Sequence, residues 1–385
     1  MTLQRLVNAV LRRIMWGIGF FLPIKKNKVL VSSYYGRGYG DNPKYIVEEL
    51  LHRNADCQII WLVSGDKEKE TLPQGVKGVR NNSVAAAYHR TTAKVWIDNC
   101  RGVFEYKKKK QYYIQTWHGF ALKRIERDVQ EHLMKGYVKG AKKDSKAINL
   151  IVSEGRFMTQ LYRNAFWYNG EIAQWGSPRN DILAKAENAI EARQKLCKHF
   201  ALDEDVKIVL YAPTFRANHS LEPYNMDYAR VKAVCEKKFG SKFKVLVRLH
   251  PGIMERSREL QIDGISVLDA SGYVDMQELL AAADIVISDY SSLMFDFALS
   301  GKPCFQYATD IEDYKADRNF YFRLDKLPFS VSENNDALEE NILRFDYDTY
   351  KQNLDAFLDE VGLVRTGDAS KKCADLIEEI CKDNR

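Results

Sequence analysis

The sequence has no C-x-x-C pair, and its seven cysteines (57, 100, 197, 235, 304, 373 and 381) are odd in number and widely spaced. That pattern excludes a disulfide framework and a thiolate zinc site, and it fits a reducing compartment. No G-x-G-x-x-G follows an apolar run, and no H-E-x-x-H or G-x-S-x-G is present. Their absence argues against hydride transfer from a dinucleotide, metalloprotease chemistry and an α/β-hydrolase nucleophile. Gly36-Arg-Gly38-Tyr-Gly40 has the wrong spacing for a P-loop and reads as a permissive loop at a sheet edge. Long apolar runs are also missing. The uncharged stretch from Ile14 to Ile24 has eleven residues, about half of the ~20 that a membrane crossing requires. It ends in Phe-Phe-Leu-Pro instead of the small residues of a signal-peptide cleavage site.

What is present is charge of unequal sign in two halves. Residues 1–180 hold 31 Lys and Arg against 15 Asp and Glu, whereas the remainder holds 27 against 37. A basic half points to a polyanion, either nucleic acid or an anionic membrane surface. The first 24 residues favour the membrane. Leu3, Leu6, Val7, Val10, Leu11, Ile14 and Ile18 recur at helical spacing, with Arg5, Arg12 and Arg13 off or beside the stripe and Lys25, Lys26 and Lys28 following. This pattern predicts an amphipathic helix lying in the interface of the cytoplasmic leaflet. Basic clusters at Lys107–Lys110 and Lys135 to Lys146 add attraction for anionic lipid.

With 45% hydrophobic residues, 385 residues can bury two cores. After Lys28, short apolar runs alternate with helical patterns. Strands are predicted at Val29–Ser33, Gln58–Val63, Lys94–Asn99, Tyr112–Thr116 and Asn149–Ser153, with helices beginning near Pro43, Ser83 and Glu154. A second series comprises helix Asp181–Phe200, strand Lys207–Tyr211, helix Asp227–Phe239, strand Phe243–Leu249, helix Asp275–Ala283 and a strand from Asp284 to Ser288. Alternation of this kind implies α/β architecture: two doubly wound parallel sheets facing a cleft. The expected division is an amphipathic segment 1–24, a first domain 25–178, a second domain 179–345, and helices 346–385 packing back on the first domain. A hinge is expected near Ser177–Asp181.

The densest motif is ADIVISDYSSLMFDFALSGKP, Ala283 to Pro303. A buried strand breaks at Asp289-Tyr290-Ser291-Ser292. Helical spacing then resumes at Leu293, Phe297 and Ala298 and stops at Gly301-Lys302-Pro303. Serines and a carboxylate therefore stand where a strand's carboxyl end meets a helix amino end, the crevice that takes ligands in open α/β sheets and favours phosphate. Other polar residues end predicted strands: Gln115-Thr116-Trp117-His118-Gly119, Arg248-Leu249-His250-Pro251-Gly252 and Tyr211-Ala212-Pro213-Thr214-Phe215-Arg216. Gly176-Ser177-Pro178-Arg179-Asn180-Asp181 occupies the crossover. Asp181 and Asp296 read as structural, a helix cap and a sheet–helix anchor.

WHGFALKRI, GSPRND, YAPTFR, RLHP and DMQELLAAADIVISDYSSLMFDFALSGKP, in this order from about Tyr112 to Arg323, closely resemble the CDP-glycerol glycerophosphotransferase family of teichoic acid and capsule polymer synthesis. Phe120-Ala121 stands where members of that family often carry Thr-Pro. The resemblance implies a GT-B-like fold of two Rossmann-type domains and peripheral attachment to the cytoplasmic face of the cell membrane. It also implies transfer of glycerol phosphate from CDP-glycerol to a hydroxyl of a polyprenyl-diphosphate-linked saccharide acceptor, with release of CMP. By motif position it makes His118 the candidate base and His250 a second essential histidine near the pyrophosphate. Ser291, Ser292 and Asp289 become candidates for holding the donor phosphates, with Thr214, Arg179 and Arg216 as further candidate contacts. No cofactor is implied, a divalent metal is left open, and no nucleic-acid partner is expected.

Such a transfer needs an aligned alcohol, removal of its proton and stabilisation of the leaving nucleotide. A histidine suits the base, with an ordinary pKa of about 6.5. CDP-ribitol is the alternative donor. A GT-B glycosyltransferase using a sugar nucleotide is the nearest rival, and a non-catalytic protein binding membrane or nucleic acid through the basic half is the rival of another class. Length alone resembles the shorter priming enzymes more than long polymerases.

Overall fold

The computed structural model describes residues 3–102, 107–216, 220–250, 252–260, 262, 267–311 and 320–382. The chain divides into two compact units. One comprises 1–118, 126–181 and 366–385, the other 119–125 and 182–365.

The first unit is built on a parallel sheet of β1 (Lys25–Ser32), β2 (Gln58–Val63), β3 (Val76–Arg80), β4 (Ala93–Asp98), β5 (Tyr112–Gln115), β6 (Leu150–Ser153) and β7 (Glu171–Gln174), in the order β3-β2-β1-β4-β5-β6-β7. The central strands read as unbroken apolar runs because helices cover both faces. Val29 of β1 pairs with Ile59 on one side and Val95 on the other. The unit's helices are α1 (Leu3–Phe21), α2 (Asp41–His52), α3 (Asp66–Glu70), α4 (Val84–Thr92), α5 (Lys135–Ala147) and α6 (Arg156–Ala165). Ser83 caps α4 as expected, its hydroxyl accepting from the Ala86 N–H at 3.1 Å. The order reverses between β1 and β4, so the chain leaves those two carboxyl ends in opposite directions and opens a crevice there.

The second unit repeats the plan. After α7 (Asp181–Ala184) and α8 (Ala186–Phe200) come β8 (Lys207–Tyr211), α9 (Tyr228–Phe239), β9 (Phe243–Val247), β10 (Val267–Asp269), α10 (Met276–Ala282), β11 (Ile285–Ser288), α11 (Leu293–Ala298), β12 (Cys304–Tyr307) and β13 (Ser330–Ser332). Its parallel sheet runs β10-β9-β8-β11-β12-β13, with the reversal between β8 and β11. Two α/β units with parallel sheets are therefore observed. The single helix expected over Asp181–Phe200 is instead two, because Lys185 is extended (φ −126°, ψ 124°).

The C-terminal segment also splits. α12 (Asn335–Leu343) and α13 (Tyr347–Val361) belong to the second unit, where Phe357 stacks at 5.8 Å on Phe295. Only α14 (Ala369–Lys382) joins the first, burying Cys373, Ala374 and Ile377 in its core. Asp181 caps it from far away in sequence, its carboxylate accepting from the N–H groups of Ala369 and Ser370 at 3.1 and 2.7 Å. Asp181 is thus a cap, that of α14.

Candidate active site

His118 lies just beyond β5, beside the reversal in the first sheet. Its Nδ1 sits 2.6 Å from the Asn99 carbonyl oxygen at the carboxyl end of β4. A carbonyl only accepts, so Nδ1 carries the proton and Nε2 keeps its lone pair. Trp117 stacks on the ring at 4.1 Å and Tyr34 lies at 5.6 Å. Burial lowers the His118 pKa below the ordinary imidazole value, against the opposing pull of the Asn99 carbonyl and Asp41. The geometry yields a neutral imidazole with one defined basic nitrogen.

The loop holding it is strained. Trp117 has φ 49° and Gly119 φ 126°, while Tyr34, Tyr35 and Asp41 near the end of β1 have φ 44°, 61° and 61°. Residues other than glycine in this region cost ~1–3 kcal/mol each and persist where surroundings over-determine them. The surroundings here are specific. Asn42, fully buried, donates to the carbonyls of Thr116 and Trp117 at 3.3 and 3.0 Å. Its Oδ1 accepts from the Ser177 hydroxyl at 2.8 Å and the Arg179 N–H at 3.0 Å. Gln115 adds an acceptor for the Trp117 N–H at 2.9 Å.

Arg179 belongs to this cluster. Its Nη1 reaches the His118 carbonyl at 2.9 Å and the Asp41 carboxylate at 2.6 Å. Asp41 also accepts from the Tyr34 hydroxyl at 2.7 Å. Burial pushes its carboxyl up, but Arg179, His118 and the hydrogen bonds outweigh that and hold it below the usual carboxylate range. Asp41, Asn42 and Asn99 were missed in sequence reading, although Asp41-Asn42 directly follows the glycine loop, whose Gly36 (φ 92°) lies against the end of β2 where a Cβ would come within 2.8 Å of backbone.

In the second unit, Asp289 at the end of β11 is 1% exposed and binds across to the segment after β8. It accepts from the Thr214 N–H at 2.9 Å and the Thr214 hydroxyl at 2.5 Å, and pairs with Arg216 Nη1 at 2.9 Å. Arg216 also pairs with Asp310, Nε to Oδ2 at 2.6 Å; burial pulls its pKa down, but the two carboxylates outweigh that and raise it. Asp289 and Arg216 thereby fix the Thr214–Arg216 loop against the DYSS turn. Ser291 Oγ accepts from the Leu293 N–H at 3.4 Å, and Ser292, which precedes α11, makes no side-chain cap bond.

His250 stands after β9, exposed, with its ring 5.0 Å from Phe215. Its Nδ1 accepts from the Gly252 N–H at 3.1 Å, so Nε2 carries the proton. Partial desolvation of the ring lowers this pKa as well, although the residue as a whole is exposed. The two histidines therefore have opposite tautomers. Pro251 of the same motif lies outside the described residues. Phe120 and Ala121 are buried, and Phe120 packs in the second unit on Phe295 at 4.5 Å and Phe322 at 5.9 Å. Among the described residues no group of three or more His, Cys, Asp or Glu is placed to hold a metal ion.

Two open parallel sheets, each carrying its polar cluster at the point of strand reversal, define a protein of the two-domain, GT-B-like α/β class. A UDP-GlcNAc 2-epimerase from Neisseria meningitidis shares that fold alone, with TM-score 0.54 and 12% identity over 91% of this chain and all of that one. The chain belongs to the CDP-glycerol:poly(glycerophosphate) glycerophosphotransferase family, whose profile matches residues 14–379. It is a transferase of that family. It is 29% identical over 373 residues to the teichoic acid poly(glycerol phosphate) polymerase of Bacillus spizizenii, covering 93% of each chain. The corresponding polymerase of Staphylococcus epidermidis is 31% identical over 375 residues, and the chain spans 94% of itself but about half (52%) of that relative. The solved wall teichoic acid polymerase TagF superposes with TM-score 0.85 and 29% identity, covering 99% of this chain and 97% of that one. A relative called a polymerase is thus matched over nearly its whole length, so length does not separate priming from polymerising enzymes.

Proposed function

We propose that the protein transfers glycerol phosphate from CDP-glycerol to a hydroxyl of a polyprenyl-linked teichoic acid or capsule precursor. The observation that carries this reading is His118, held with Nδ1–H on the Asn99 carbonyl inside a motif shared with the family. In the proposed step an acceptor hydroxyl oxygen bonds to the β-phosphorus of CDP-glycerol. His118 Nε2 takes the hydroxyl proton, and the bond from that phosphorus to the bridging oxygen breaks, with CMP leaving on the electron pair. His250, whose Nε2 bears hydrogen, donates to the diphosphate oxygens as charge develops, together with the Ser291 and Ser292 hydroxyls and Thr214. Asp289 and Arg216 act by holding the Thr214 loop, and Arg179 by holding the His118 loop.

A TagF variant soaked with CDPG supports the cytidine donor. Relatives named teichoic acid ribitol-phosphate polymerases, 25% and 24% identical, favour CDP-ribitol as the second reading. We place the enzyme at a membrane surface through α1. No described helix is long and apolar enough to cross a membrane, but Leu6, Val10, Ile14, Ile18 and Phe21 of α1 are 48–89% exposed, at helical spacing. A donor panel of CDP-glycerol, CDP-ribitol and UDP-sugars, read by nucleotide release on a polyprenyl-diphosphate disaccharide, tests the function. CMP from CDP-glycerol with phosphoglycerol on the acceptor is the expected result. UMP or UDP release would establish a sugar transferase instead.

A further inference from the structure

At the opposite, amino edge of the first sheet lies a group of cations, two of them buried side chains on which no carboxylate acts among the described residues. Lys28 of β1 is fully buried (0% exposed). Its Nζ donates to the Thr92 hydroxyl at 2.8 Å and lies 4.6 Å from the centre of the Tyr88 ring. Lys25 reaches the same ring at 6.0 Å. His89, next along α4, is 7% exposed, and its Nδ1 has no hydrogen-bond partner. The charges acting on Lys28 are Lys25 and Lys77, and those on His89 are Lys28, Lys77 and Lys25, with no carboxylate among them. Burial followed by these like charges brings the Lys28 pKa down to about 8 and that of His89 down to about 4.

Buried charges are ordinarily paired, and buried polar atoms ordinarily bonded. A buried ammonium with one hydroxyl acceptor, beside an orphaned imidazole nitrogen and two more ammonium groups, lacks an anion. We propose that Lys25, Lys28, Lys77 and His89 form a binding site for a phosphate group, free or carried by a lipid headgroup. The unesterified oxygens of a phosphate can accept from the ammonium groups and from His89 Nδ1 in the tautomer that places the hydrogen there, with bonds assisted by the charge of the anion. The site lies at the end of the sheet away from His118 and does not rest on the transfer reaction. Its neighbours suggest the lipid source. The apolar helix α1 packs on α4, which supplies Tyr88, His89 and Thr92, and leads within a few residues to Lys25.

Thermal unfolding of the full chain in sodium phosphate, against sodium chloride of equal ionic strength, tests the site through ligand-linked stabilisation. The wild type gains a phosphate-specific rise in Tm. Lys28→Met and the exposed Lys77→Gln weaken the apparent phosphate affinity by about tenfold or more, while His250→Ala retains it. Flotation with phosphatidylglycerol or phosphatidylcholine vesicles identifies the source. Phosphate that competes with phosphatidylglycerol marks a headgroup site, and phosphate that binds without competing marks a site for the free ion. No phosphate-specific rise in the wild type, or an undiminished one in both lysine variants, overturns the proposal.

Discussion

Asn42 touches no reacting atom in the proposed mechanism, yet all four of its side-chain bonds end on segments that flank His118 or carry Arg179. Truncating it removes hydrogen-bond partners from the Thr116 and Trp117 carbonyls, the Ser177 hydroxyl and the Arg179 N–H, and releases Trp117 from a positive φ held by its surroundings. Asn42→Ala is expected to cost ~2–4 kcal/mol in urea unfolding. It should also lower kcat at least tenfold with KM little changed, because the residue positions the base without binding substrate. A variant with wild-type kcat would remove Asn42 from that role. At this scale the sequence was partly legible. His118 and His250 announce themselves by standing next to glycine or proline at strand ends. Asp41, Asn42 and Asn99 do not, because their importance comes from long-range bonds that no local spacing encodes.

Among the elements, β1, β2, β4, β5, β6, β8, β9 and β11 were readable, since strands buried on both faces leave continuous apolar runs. The strands at Val76–Arg80, Glu171–Gln174, Val267–Asp269, Cys304–Tyr307 and Ser330–Ser332 were not. They are three to five residues long and mostly at or near sheet edges, where one pairing partner replaces the need for apolar sequence. The GFALKRI segment is a different case. Phe120 reads locally as part of the His118 motif but packs among the aromatic side chains of the other unit. The helix α1 has its apolar stripe turned outward, with Ile14 and Ile18 each 52% exposed. Replacing both by Gln should leave the unfolding transition within ~0.5 kcal/mol of wild type. The same pair should clearly reduce cosedimentation with anionic vesicles. Loss of stability would instead show that the stripe is core.

For the whole molecule, the two units supply histidines in complementary protonation states. His118 has a basic Nε2 and His250 an Nε2 that bears hydrogen; burial lowers the pKa of the first, and partial desolvation of an exposed ring that of the second. Activity that requires a neutral His118 imidazole is present at neutral pH and is lost as pH falls through its lowered value. The acid limb of kcat/KM is therefore expected below the ordinary histidine value of about 6.5. A limb at or above that value would contradict the burial argument. The most direct test of the central claim is single-turnover release of CMP from CDP-glycerol, in the presence of acceptor, by wild type and His118→Ala with folding verified. The account predicts release matched by phosphoglycerol on the acceptor in the wild type, and a loss of at least a hundredfold in the variant. Equal turnover by the two, or no CMP from the wild type, would contradict it.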